Sequence, residues 1–391
     1  MSNKAPIIIV FLLAVAAIVY FAQRRDGTPA NAPAVQRPTS KTVEIVFLYS
    51  TEKKDWIEAQ TEAFLKENPD VSVQLVGKGS LEAAQALVEG QAKPAIWSPA
   101  DSLVLNLAEA DYETKTGSRL IAAEGTADAP QPLVITPLVF VAWEDRAEAL
   151  TKSGAGRINW RSLRSAVTSN EGWPAVGGKP EWGFVKLGHT DPTRSNSGLN
   201  ALVSMTYEYY RKTSGLQVGD LLKRDYQTWI VDIEKGVGRF ESSTGTFMTD
   251  MVRFGPSRFD VAYVYESLAI SQLDNAQGRW GNLRVYYPAT TLWSDHPAAL
   301  LQGAWLTEAQ KKAARALLAH LRGRRAQEQA LAFGFRPADT SVPLKTSDAR
   351  NPFVRLAQYG VQVDLPPAAS PPDAAVVRNL LTMWSRLVGT R

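Results

Sequence analysis

The stretch "TVEIVFLYSTEKKDWIEAQTEAFLKENP" (residues 42–69) decides the fold class, because its hydrophobic pattern changes part-way from that of a strand to that of a helix. The first nine residues are mostly β-branched or aromatic, which is typical of a strand covered on both faces. The remainder places Trp56, Ala59 and Ala63 on one helix face. Pro69 then ends the helical pattern. The stretch therefore predicts a buried strand followed by an amphipathic helix.

The same alternation continues through two further strands. "VSVQLVGKGS" alternates apolar side chains as a strand does, residues 80–89 have a helical pattern, and "PAIWSP" precedes another helical pattern at residues 100–107. Strand, helix, strand, helix, strand predicts a right-handed parallel α/β sheet. A second α/β unit is predicted further along, where "GHTDPTRSNSGLNALV" (188–203) and "ESSTGTFMTDMVRFG" (241–255) each place a polar loop before an amphipathic helix.

Two prolines inside strand-like runs predict where the chain passes between the two units. Pro137 interrupts "PLVITPLVFVAW" and Pro288 interrupts "LRVYYPATTLWSDHPAALL", and proline is disfavoured inside a central strand. We therefore expect hinge segments at residues 136–138 and 287–289. The predicted organisation is an N-terminal anchor (1–25), a linker (26–41), the first part of lobe 1 (42–136), lobe 2 (137–287) and a return to lobe 1 with the C-terminal helices (288–391).

The composition excludes several classes of site. The chain has no cysteine, so disulfides, thiolate nucleophiles and cysteine metal sites are all absent. Its three histidines are far apart and show no H-x-x-x-H spacing, so no metal site is predicted, and no cofactor either. The net charge is only +4, and the basic residues are scattered among acidic ones, which does not indicate a nucleic-acid partner.

The N-terminal segment "APIIIVFLLAVAAIVYFA" (residues 5–22) is apolar throughout and is followed by Arg24 and Arg25. It has the length of a short membrane span or of a long signal-peptide core. Because the candidate cleavage positions are poor, we favour an uncleaved single-pass anchor in a bacterial cytoplasmic membrane, with the globular part outside. The charges on its two sides do not decide the orientation. The Pro/Ala-rich residues that follow are typical of an extended tether.

Small hydroxyl residues follow each of the first three predicted strands. Ser50 and Thr51 follow the first strand, Ser80 the second, and Ser98 ends the third. Each position fits helix capping, for which serine and threonine are favoured in any protein. In α/β sheets, however, ligands bind at the carboxyl ends of the strands, where helix N-termini present unpaired N–H groups. Three such positions at one sheet edge therefore favour a shared polar pocket.

These junctions resemble those of type 2 periplasmic solute-binding proteins, especially the extracellular family related to the molybdate and sulfate binders. The similarity rests on "VFLYSTEKKDWI", "GHTDPTRSNSGLNALV", "FDVAYVYESLAI", "VYYPATTLWSDHPAALL" and "AQEQALAFGFRPA", in that order. The resemblance implies a two-lobed α/β fold, in which each lobe is a mainly parallel sheet flanked by helices, and a small solute held in the cleft between the lobes. It also implies an ABC-type permease as partner, for uptake or sensing. Related domains occur beside von Willebrand type A domain proteins, so an anchored interaction module without a transport role is the alternative.

Carrying the family's cleft onto this chain gives the candidate ligand-binding residues. They are Ser50, Thr51, Ser80 and Ser98 from the first lobe, and Thr190, Arg194, Ser195, Asn196, Ser197, Ser243, Thr244, Tyr263 and Glu266 from the second. Hydroxyls and helix N-terminal amides can bind an oxyanion without a counter-charge. Arg194 would add a bidentate partner, or would be an ordinary surface arginine. Glu266 would repel a dianion and suit a hydroxyl-rich or cationic solute, so the sequence leaves the class of solute open.

An enzyme is not predicted. His189 is adjacent to Thr190 and Asp191, which supplies the residue types of a nucleophilic site. Residues adjacent in sequence rarely point at one another, and the chain has no G-x-S-x-G motif.

Overall fold

The computed structural model describes residues 42–153 and 156–389. The predicted anchor and linker at residues 1–41 lie outside these ranges. Within them, no helix combines the length and the apolar character that crossing a bilayer requires.

Eleven strands are present in the described residues. They are β1 (Val43–Tyr49), β2 (Val71–Gly77), β3 (Ile96–Ser98), β4 (Gln131–Pro132), β5 (Val134–Trp143), β6 (Leu187–Gly188), β7 (Val261–Tyr265), β8 (Leu283–Tyr286), β9 (Trp293–Ser294), β10 (Pro297–Leu300) and β11 (Arg336–Pro337).

The α-helices of the described residues alternate with these strands in the first part of the chain and dominate the last. They are α1 (Lys54–Glu67), α2 (Ser80–Val88), α3 (Ser102–Thr116), α4 (Glu144–Ser153), α5 (Trp160–Thr168), α6 (Asn196–Tyr210), α7 (Val218–Leu221), α8 (Arg224–Glu234), α9 (Thr244–Phe254), α10 (Glu266–Ala276), α11 (Glu308–Arg322), α12 (Arg324–Ala330), α13 (Pro352–Arg355) and α14 (Ala374–Leu387).

The first sheet has the order β2-β1-β3-β10-β4. Its strands β2, β1 and β3 are parallel, as predicted from residues 42–107, and β10 pairs antiparallel with β3. Helix α1 buries Trp56, Ile57 and Phe64, which belong to the same apolar core as Phe47 of β1. Helix α11 packs on β1 and α1 and completes this core. We call this sheet with its helices the first lobe.

The second sheet differs from the predicted parallel arrangement. Its central strand β5 pairs antiparallel with β7, β8, β9 and β11, whereas β6 pairs parallel with β7. The resemblance to the solute-binding family implied a mainly parallel sheet, and the continuous apolar run of β5 indicates only that both faces of the strand are buried. Here α4 and α10 pack on β5, and nearly every residue of this antiparallel strand is buried. We call this sheet with α4–α10 the second lobe.

The chain passes between the sheets a few residues away from the two prolines. It leaves the first sheet after Pro132 and enters the second at Val134; it returns between Ser294 and Pro297. Pro137 instead lies inside β5, opposite Trp293. Pro288 lies in the connection from β8 to β9. Pro288 therefore needs no ladder donor, whereas Pro137 occupies a paired position inside a strand, where proline is disfavoured.

The segment that follows α12 passes to the second sheet once more. Arg336 of β11 pairs with Ile135 of β5, and Tyr207 of α6 donates a hydrogen bond of 2.5 Å to the carbonyl oxygen of Ser370. Trp384 of α14 donates its indole N–H to Glu234 of α8 at 2.7 Å. The prediction assigned all of residues 288–391 to the first lobe; in the structure Arg336, Ser370 and Trp384 contact the second.

Candidate functional site

The two lobes meet through the N-termini of helices. Thr51 Oγ1 of the first lobe lies 2.9 Å from Ser243 Oγ of the second. The backbone N–H of Glu82 in α2 donates to the carbonyl oxygen of Arg194 at 3.4 Å. A Cβ atom added to Gly79 would approach that same oxygen to 2.6 Å, so only glycine permits this contact. Both contacts join polar strand-to-helix junctions that were predicted from the sequence.

On the second-lobe side, four buried hydroxyl groups contact one another. Thr190 Oγ1 and Thr244 Oγ1 lie 2.7 and 2.6 Å from Ser197 Oγ, and Ser195 Oγ lies 3.2 Å from Thr244 Oγ1. The four side chains are 4% exposed or less. They connect the N-terminus of α6 to that of α9 and form a neutral cluster of donors and acceptors.

Several helix N-termini at this junction have no side-chain cap. The capping positions of α2, α6 and α9 are Gly79, Ser195 and Ser243, and none of them accepts a hydrogen bond from its own helix. The same holds for Ser50, which precedes the 3-10 turn Thr51–Lys53 at the start of α1. The first N–H groups of a helix have no intrahelical acceptor. These amides, together with the positive ends of the helix dipoles, favour an anionic or oxygen-rich ligand.

A polar group from the first lobe faces the start of α6. Asp101 caps α3 by accepting a hydrogen bond from the N–H of Leu103 at 2.9 Å. Its other carboxylate oxygen lies 3.4 Å from both Asn200 Nδ2 and Ser294 Oγ. Asn196 donates to the hydroxyl of Tyr265 at 3.0 Å. Asparagines of α6 thereby contact both the first lobe and the end of β7.

We call the contact region formed by these groups the interlobe crevice; its residues are Ser50, Thr51, Ser98, Asp101, Asn196, Ser197, Asn200, Ser243, Thr244 and His296. Three buried polar atoms around it have no hydrogen-bond partner among the described residues: Ser98 Oγ, Asn196 Oδ1 and His296 Nε2. Buried polar atoms are normally satisfied by protein, water or ligand. The crevice therefore has unused hydrogen-bonding capacity.

A charged network lies beneath the crevice in the first lobe. Lys53 donates to Ser50 Oγ at 2.5 Å and to the carbonyl oxygen of Pro99 at 3.1 Å, and its Nζ lies 3.2 Å from His296 Nδ1. Ser50 donates to Glu52 Oε1 at 2.5 Å, and this oxygen is 3.3 Å from His296 Nδ1. The side chains of Lys53 and His296 are fully buried. A lysine buried to this extent requires the neighbouring carboxylate.

The pKa values of this network are shifted by burial and by mutual charge. Burial acts to raise the pKa of Glu52, but the hydrogen bond from His296 and the charge of Lys53 outweigh it and lower the pKa to about 2. Burial lowers the pKa of Lys53 to about 8, against the attraction of Glu52. Burial and the nearby Lys53 also lower the pKa of His296. At neutral pH this gives an ionised pair of Glu52 and Lys53 with a neutral imidazole beside it.

The pKa of Asp101 is raised, in contrast to that of Glu52. Burial, and then the charge of Asp295, raise its pKa to about 7, although the N–H of Leu103 and the amides of Asn200 and Asn196 oppose the rise. Asp295 itself accepts hydrogen bonds from the N–H and the hydroxyl of Ser102. A carboxyl group that titrates near neutrality, placed opposite the second lobe, can act either as a hydrogen-bond donor or as an acceptor.

Three other predicted residues lie outside the hydroxyl cluster and make contacts of their own. Ser80 Oγ accepts a hydrogen bond from the N–H of Ala100 at 3.0 Å. The Arg194 side chain is 51% exposed and lies 3.6 Å from Glu82. Tyr263 packs its ring between Phe140 and Trp160, with centroids 4.9 and 5.1 Å away.

Glu266 was a candidate ligand-binding residue, whose carboxylate would either face the solute or accept hydrogen bonds from helix N-terminal amides. Its two oxygens instead accept hydrogen bonds of 2.8 Å from Arg336, and the hydroxyl of Tyr287 donates to one of them. Arg336 lies 70 positions along the chain, so no local pattern around Glu266 indicated this pairing.

His189 has a structural role. Its Nδ1 donates to the carbonyl oxygen of Thr190 at 2.8 Å, and its Nε2 lies 2.9 Å from Glu234, which also accepts from Trp384. Burial acts to lower the pKa of His189, but the charge of Glu234 outweighs it and raises the pKa. This residue connects β6 to α8 and α14.

The sequence analysis missed several residues that line or support the crevice: Glu52, Lys53, Asp101, Asn200, Ser294 and His296. Asp101 had a usable signal, because an aspartate directly before a helix and after a strand end is a typical cap at a ligand-binding edge. Lys53 had none, since a lysine in the first turn of an amphipathic helix normally faces solvent. Within the described residues, no cluster of three or more histidine, aspartate and glutamate side chains has the arrangement to hold a metal ion.

The sequence profile of the bacterial extracellular solute-binding proteins matches residues 45–336. The chain belongs to this family. A search of curated protein sequences found no match. The predicted solute-binding family is therefore confirmed, and the family comprises proteins that bind small solutes outside the cytoplasm.

Solved structures of solute-binding proteins share the fold. The sulfate-binding protein SubI from Mycobacterium tuberculosis H37Rv is 16% identical, with a TM-score of 0.55 over 89% of this chain and 99% of that one. A periplasmic thiamin binding protein is 15% identical, with a TM-score of 0.61 over 88% and 96%. The periplasmic binding protein AfuA from Actinobacillus pleuropneumoniae, with fructose-6-phosphate bound, is 14% identical, with a TM-score of 0.57 over 89% and 99%. At these identities the likeness shows the fold alone.

Proposed function

We propose that this solute-binding protein captures a small oxyanion in the interlobe crevice, outside the cytoplasm, and passes it to an ABC-type permease or reports its presence. The observation that carries the proposal is the meeting of uncapped helix N-termini and hydroxyl groups from both lobes, with Thr51 Oγ1 and Ser243 Oγ only 2.9 Å apart. Fixed amide and hydroxyl dipoles replace the water around an oxyanion without a formal counter-charge.

The main objection to an anionic solute was the negative charge of Glu266, and the ion pair with Arg336 removes this objection. The guanidinium contacts both carboxylate oxygens at 2.8 Å, so the charge of Glu266 is neutralised within its own lobe. Two of the similar structures are those of a sulfate-binding protein and of a protein with bound fructose-6-phosphate; sulfate is an oxyanion and fructose-6-phosphate carries one. This agreement supports the proposed class of solute.

Asp101 favours a second candidate, a hydroxyl-rich neutral solute. An ionised carboxylate accepts hydrogen bonds from ligand hydroxyls and repels an oxyanion, whereas a protonated one donates to an oxyanion. The pKa of Asp101 is about 7, so the two candidates have opposite pH dependence. Oxyanion affinity is expected to rise as the pH falls through about 7, and affinity for a polyol is expected to fall.

The test is a thermal-shift titration of the full chain with sulfate, molybdate and phosphate, and with neutral sugars, at pH 6 and pH 8. A ligand at a hundred times its Kd stabilises the folded state by about 2.7 kcal/mol. Sulfate also stabilises proteins by exclusion from their surface, so the effect must saturate and must be lost in Thr244→Val. Thr228→Val, at an exposed threonine of α8, is the matched control and should keep the shift.

Two results would decide against oxyanion capture. A saturable shift with a sugar, weaker at pH 6 than at pH 8, would favour the hydroxyl-rich solute. If no small solute gives a saturable shift, the alternative of an anchored interaction module, with a von Willebrand type A domain protein as partner, replaces solute capture. The anchor at residues 1–25 belongs to the same proposal and would keep the capture step at the outer face of a bacterial cytoplasmic membrane.

A further inference from the structure

A cavity lies in the second lobe, apart from the interlobe crevice. Its volume is about 400 Å³, within the range of pockets that hold small organic ligands. It is bounded by the residues before α5, the C-terminal end of α6 and the connection from β8 to β9. None of the residues that bound the interlobe crevice lines it.

Apolar side chains form much of the wall. Ile158, Tyr207, Leu292 and Ala369 line the cavity and are each 8% exposed or less in the folded chain. Thr291 and Ser204 add two hydroxyl groups; Ser204 Oγ already accepts from the indole N–H of Trp160 at 2.9 Å. The interior therefore suits an apolar body with few polar atoms.

Four basic residues also line the cavity, and among the described residues only Lys212 has a carboxylate partner. Lys212 pairs with Asp220 at 2.8 Å, and Arg161 donates to the carbonyl oxygens of Glu208 and Tyr209. By contrast, Arg157 and Arg211 form no ion pair with any side chain in the described part of the chain. Their guanidinium groups are left to solvent or to a ligand.

The one acidic side chain in the wall is already engaged. The two oxygens of Glu208 accept hydrogen bonds from the N–H groups of Trp160 and Arg161, at 2.9 and 2.7 Å. Burial raises the pKa of Glu208, which those two N–H groups oppose. Glu208 therefore serves to hold the start of α5, and the unpaired charge around the cavity is positive.

Arg211 is held in an unusual backbone conformation. It terminates α6 with φ of 51°, in the left-handed region where glycine is the usual residue. An L-residue there costs about 1–2 kcal/mol. Glycine would adopt this conformation without strain, so the backbone does not explain why an arginine stands here. The cavity beside Arg211 offers an explanation, because its side chain can contact a ligand there.

We propose that this cavity binds a small amphipathic carboxylate, whose apolar body fills the space and whose carboxylate meets Arg157 and Arg211. The apolar walls fit the apolar body of such a ligand, and the surplus of basic groups fits its carboxylate. Only the two features together indicate an amphipathic carboxylate. A bidentate arginine–carboxylate contact gives both affinity and orientation. The site is independent of the solute captured between the lobes.

The experiment is a calorimetric titration of the full chain with octanoate and, as the uncharged counterpart, 1-octanol. We expect saturable one-to-one binding of octanoate, about tenfold tighter than that of octanol, because hydrogen bonds to charged groups are stronger than neutral ones. Arg211→Gly should weaken octanoate binding by about tenfold and leave octanol binding unchanged. The variant should remain folded, because glycine relieves the backbone strain.

Controls separate this site from the rest of the molecule. Arg279→Gln removes an exposed arginine elsewhere in the second lobe and should leave octanoate binding unchanged. Thr244→Val, in the interlobe crevice, should also leave it unchanged. The proposal is overturned if octanoate does not saturate, if octanol binds equally well, if Arg211→Gly binds octanoate normally, or if Thr244→Val abolishes binding. An acidic peptide that binds where octanoate does not would overturn it as well.

Discussion

The two sides of the interlobe crevice differ in charge. The first lobe contributes buried ionisable groups, namely Glu52, Lys53, Asp101 and His296, whereas the second lobe contributes a cluster of neutral hydroxyls around Ser197. Neutral hydroxyls do not titrate near neutrality, so they supply the same hydrogen bonds at every physiological pH. The comparison teaches that the pH response expected of Glu52, Lys53 and Asp101 originates in the first lobe, whereas the hydroxyl cluster of the second lobe supplies hydrogen bonds that do not change with pH.

The largest effect is expected from a substitution in the charged network of the first lobe. Lys53→Met leaves the buried carboxylate of Glu52 without its cation, and removing one member of a buried ion pair typically costs about 3–5 kcal/mol. We expect a loss of this size in the free energy of unfolding, measured by urea denaturation. Lys54→Met is the matched control: Lys54 is 56% exposed in its pair with Glu58, so about 0.5 kcal/mol is expected. Equal effects of the two substitutions would mean that the buried network adds nothing.

A second prediction tests whether solute binding requires direct contact between the two lobes. Gly79→Ala places a Cβ atom 2.6 Å from the Arg194 carbonyl oxygen, so it opposes the closed arrangement without altering the interior of either lobe. We expect solute affinity to fall by about tenfold or more, at a cost of about 1–3 kcal/mol for overpacking, with little change in unfolding. Gly245→Ala is the control, since its nearest neighbour would be Thr51 O at 3.8 Å. Wild-type affinity in Gly79→Ala would contradict closure by direct contact.

A third prediction uses the opposite pKa shifts of two carboxyl groups. Because the folded-state pKa of Asp101 is raised to about 7, its contribution to stability is greatest at low pH and is lost as the pH rises from about 4 to about 7. In Glu52 the folded-state pKa is lowered to about 2. Its contribution is therefore present above about pH 4.5 and lost as the pH falls towards 2.

Two variants separate these contributions. Asp101→Asn keeps the cap of α3, because asparagine caps as well as aspartate. Relative to wild type it should gain about 2–4 kcal/mol in stability between pH 4 and pH 8. Glu52→Gln should be less stable than wild type above pH 4.5 and should approach the stability of wild type near pH 2. Urea denaturation across this pH range measures both; parallel curves for wild type and Asp101→Asn would show that Asp101 titrates normally.

The smallest expected effect concerns one hydrogen bond between the lobes. Thr51→Val keeps the shape of the side chain but removes its contact with Ser243, and a neutral hydrogen bond contributes about 1 kcal/mol. We expect about a fivefold loss of solute affinity, measured by calorimetry, with unfolding almost unchanged. Thr228→Val should change neither quantity. A larger loss for Thr51→Val than for Gly79→Ala would reverse the order proposed here.

The first lobe was largely predictable, because its strands and helices follow one another locally. Residues 42–107 alternate between two hydrophobic periods, and each element pairs with a neighbour close in sequence. In the second lobe, β5 pairs with β7, β8 and β11, which are distant in sequence. Hydrophobic pattern carries no information on strand direction, so the antiparallel arrangement could not be inferred.

The site shows the same division between local and distant information. The hydroxyls of Ser195, Ser197 and Thr244 were predicted, because serine and threonine at strand-to-helix junctions are visible in the sequence. Glu266 was misjudged, because its partner Arg336 comes from another part of the chain. The charged network was missed for a similar reason, since Lys53 and His296 are 243 positions apart.

The C-terminal segment has a consequence for how quickly this protein exchanges its cargo. Besides the two crossings already described, the chain crosses from α12 to β11 of the second sheet, where Arg336 pairs with Ile135. In addition, α14 spans from Glu234 in the second lobe to Asp111 in the first, which Arg378 contacts at 2.7 Å. Opening must break this exposed ion pair and bend three segments instead of two. We therefore expect slow release, so that residence time, rather than the speed of capture, sets the tightness of binding.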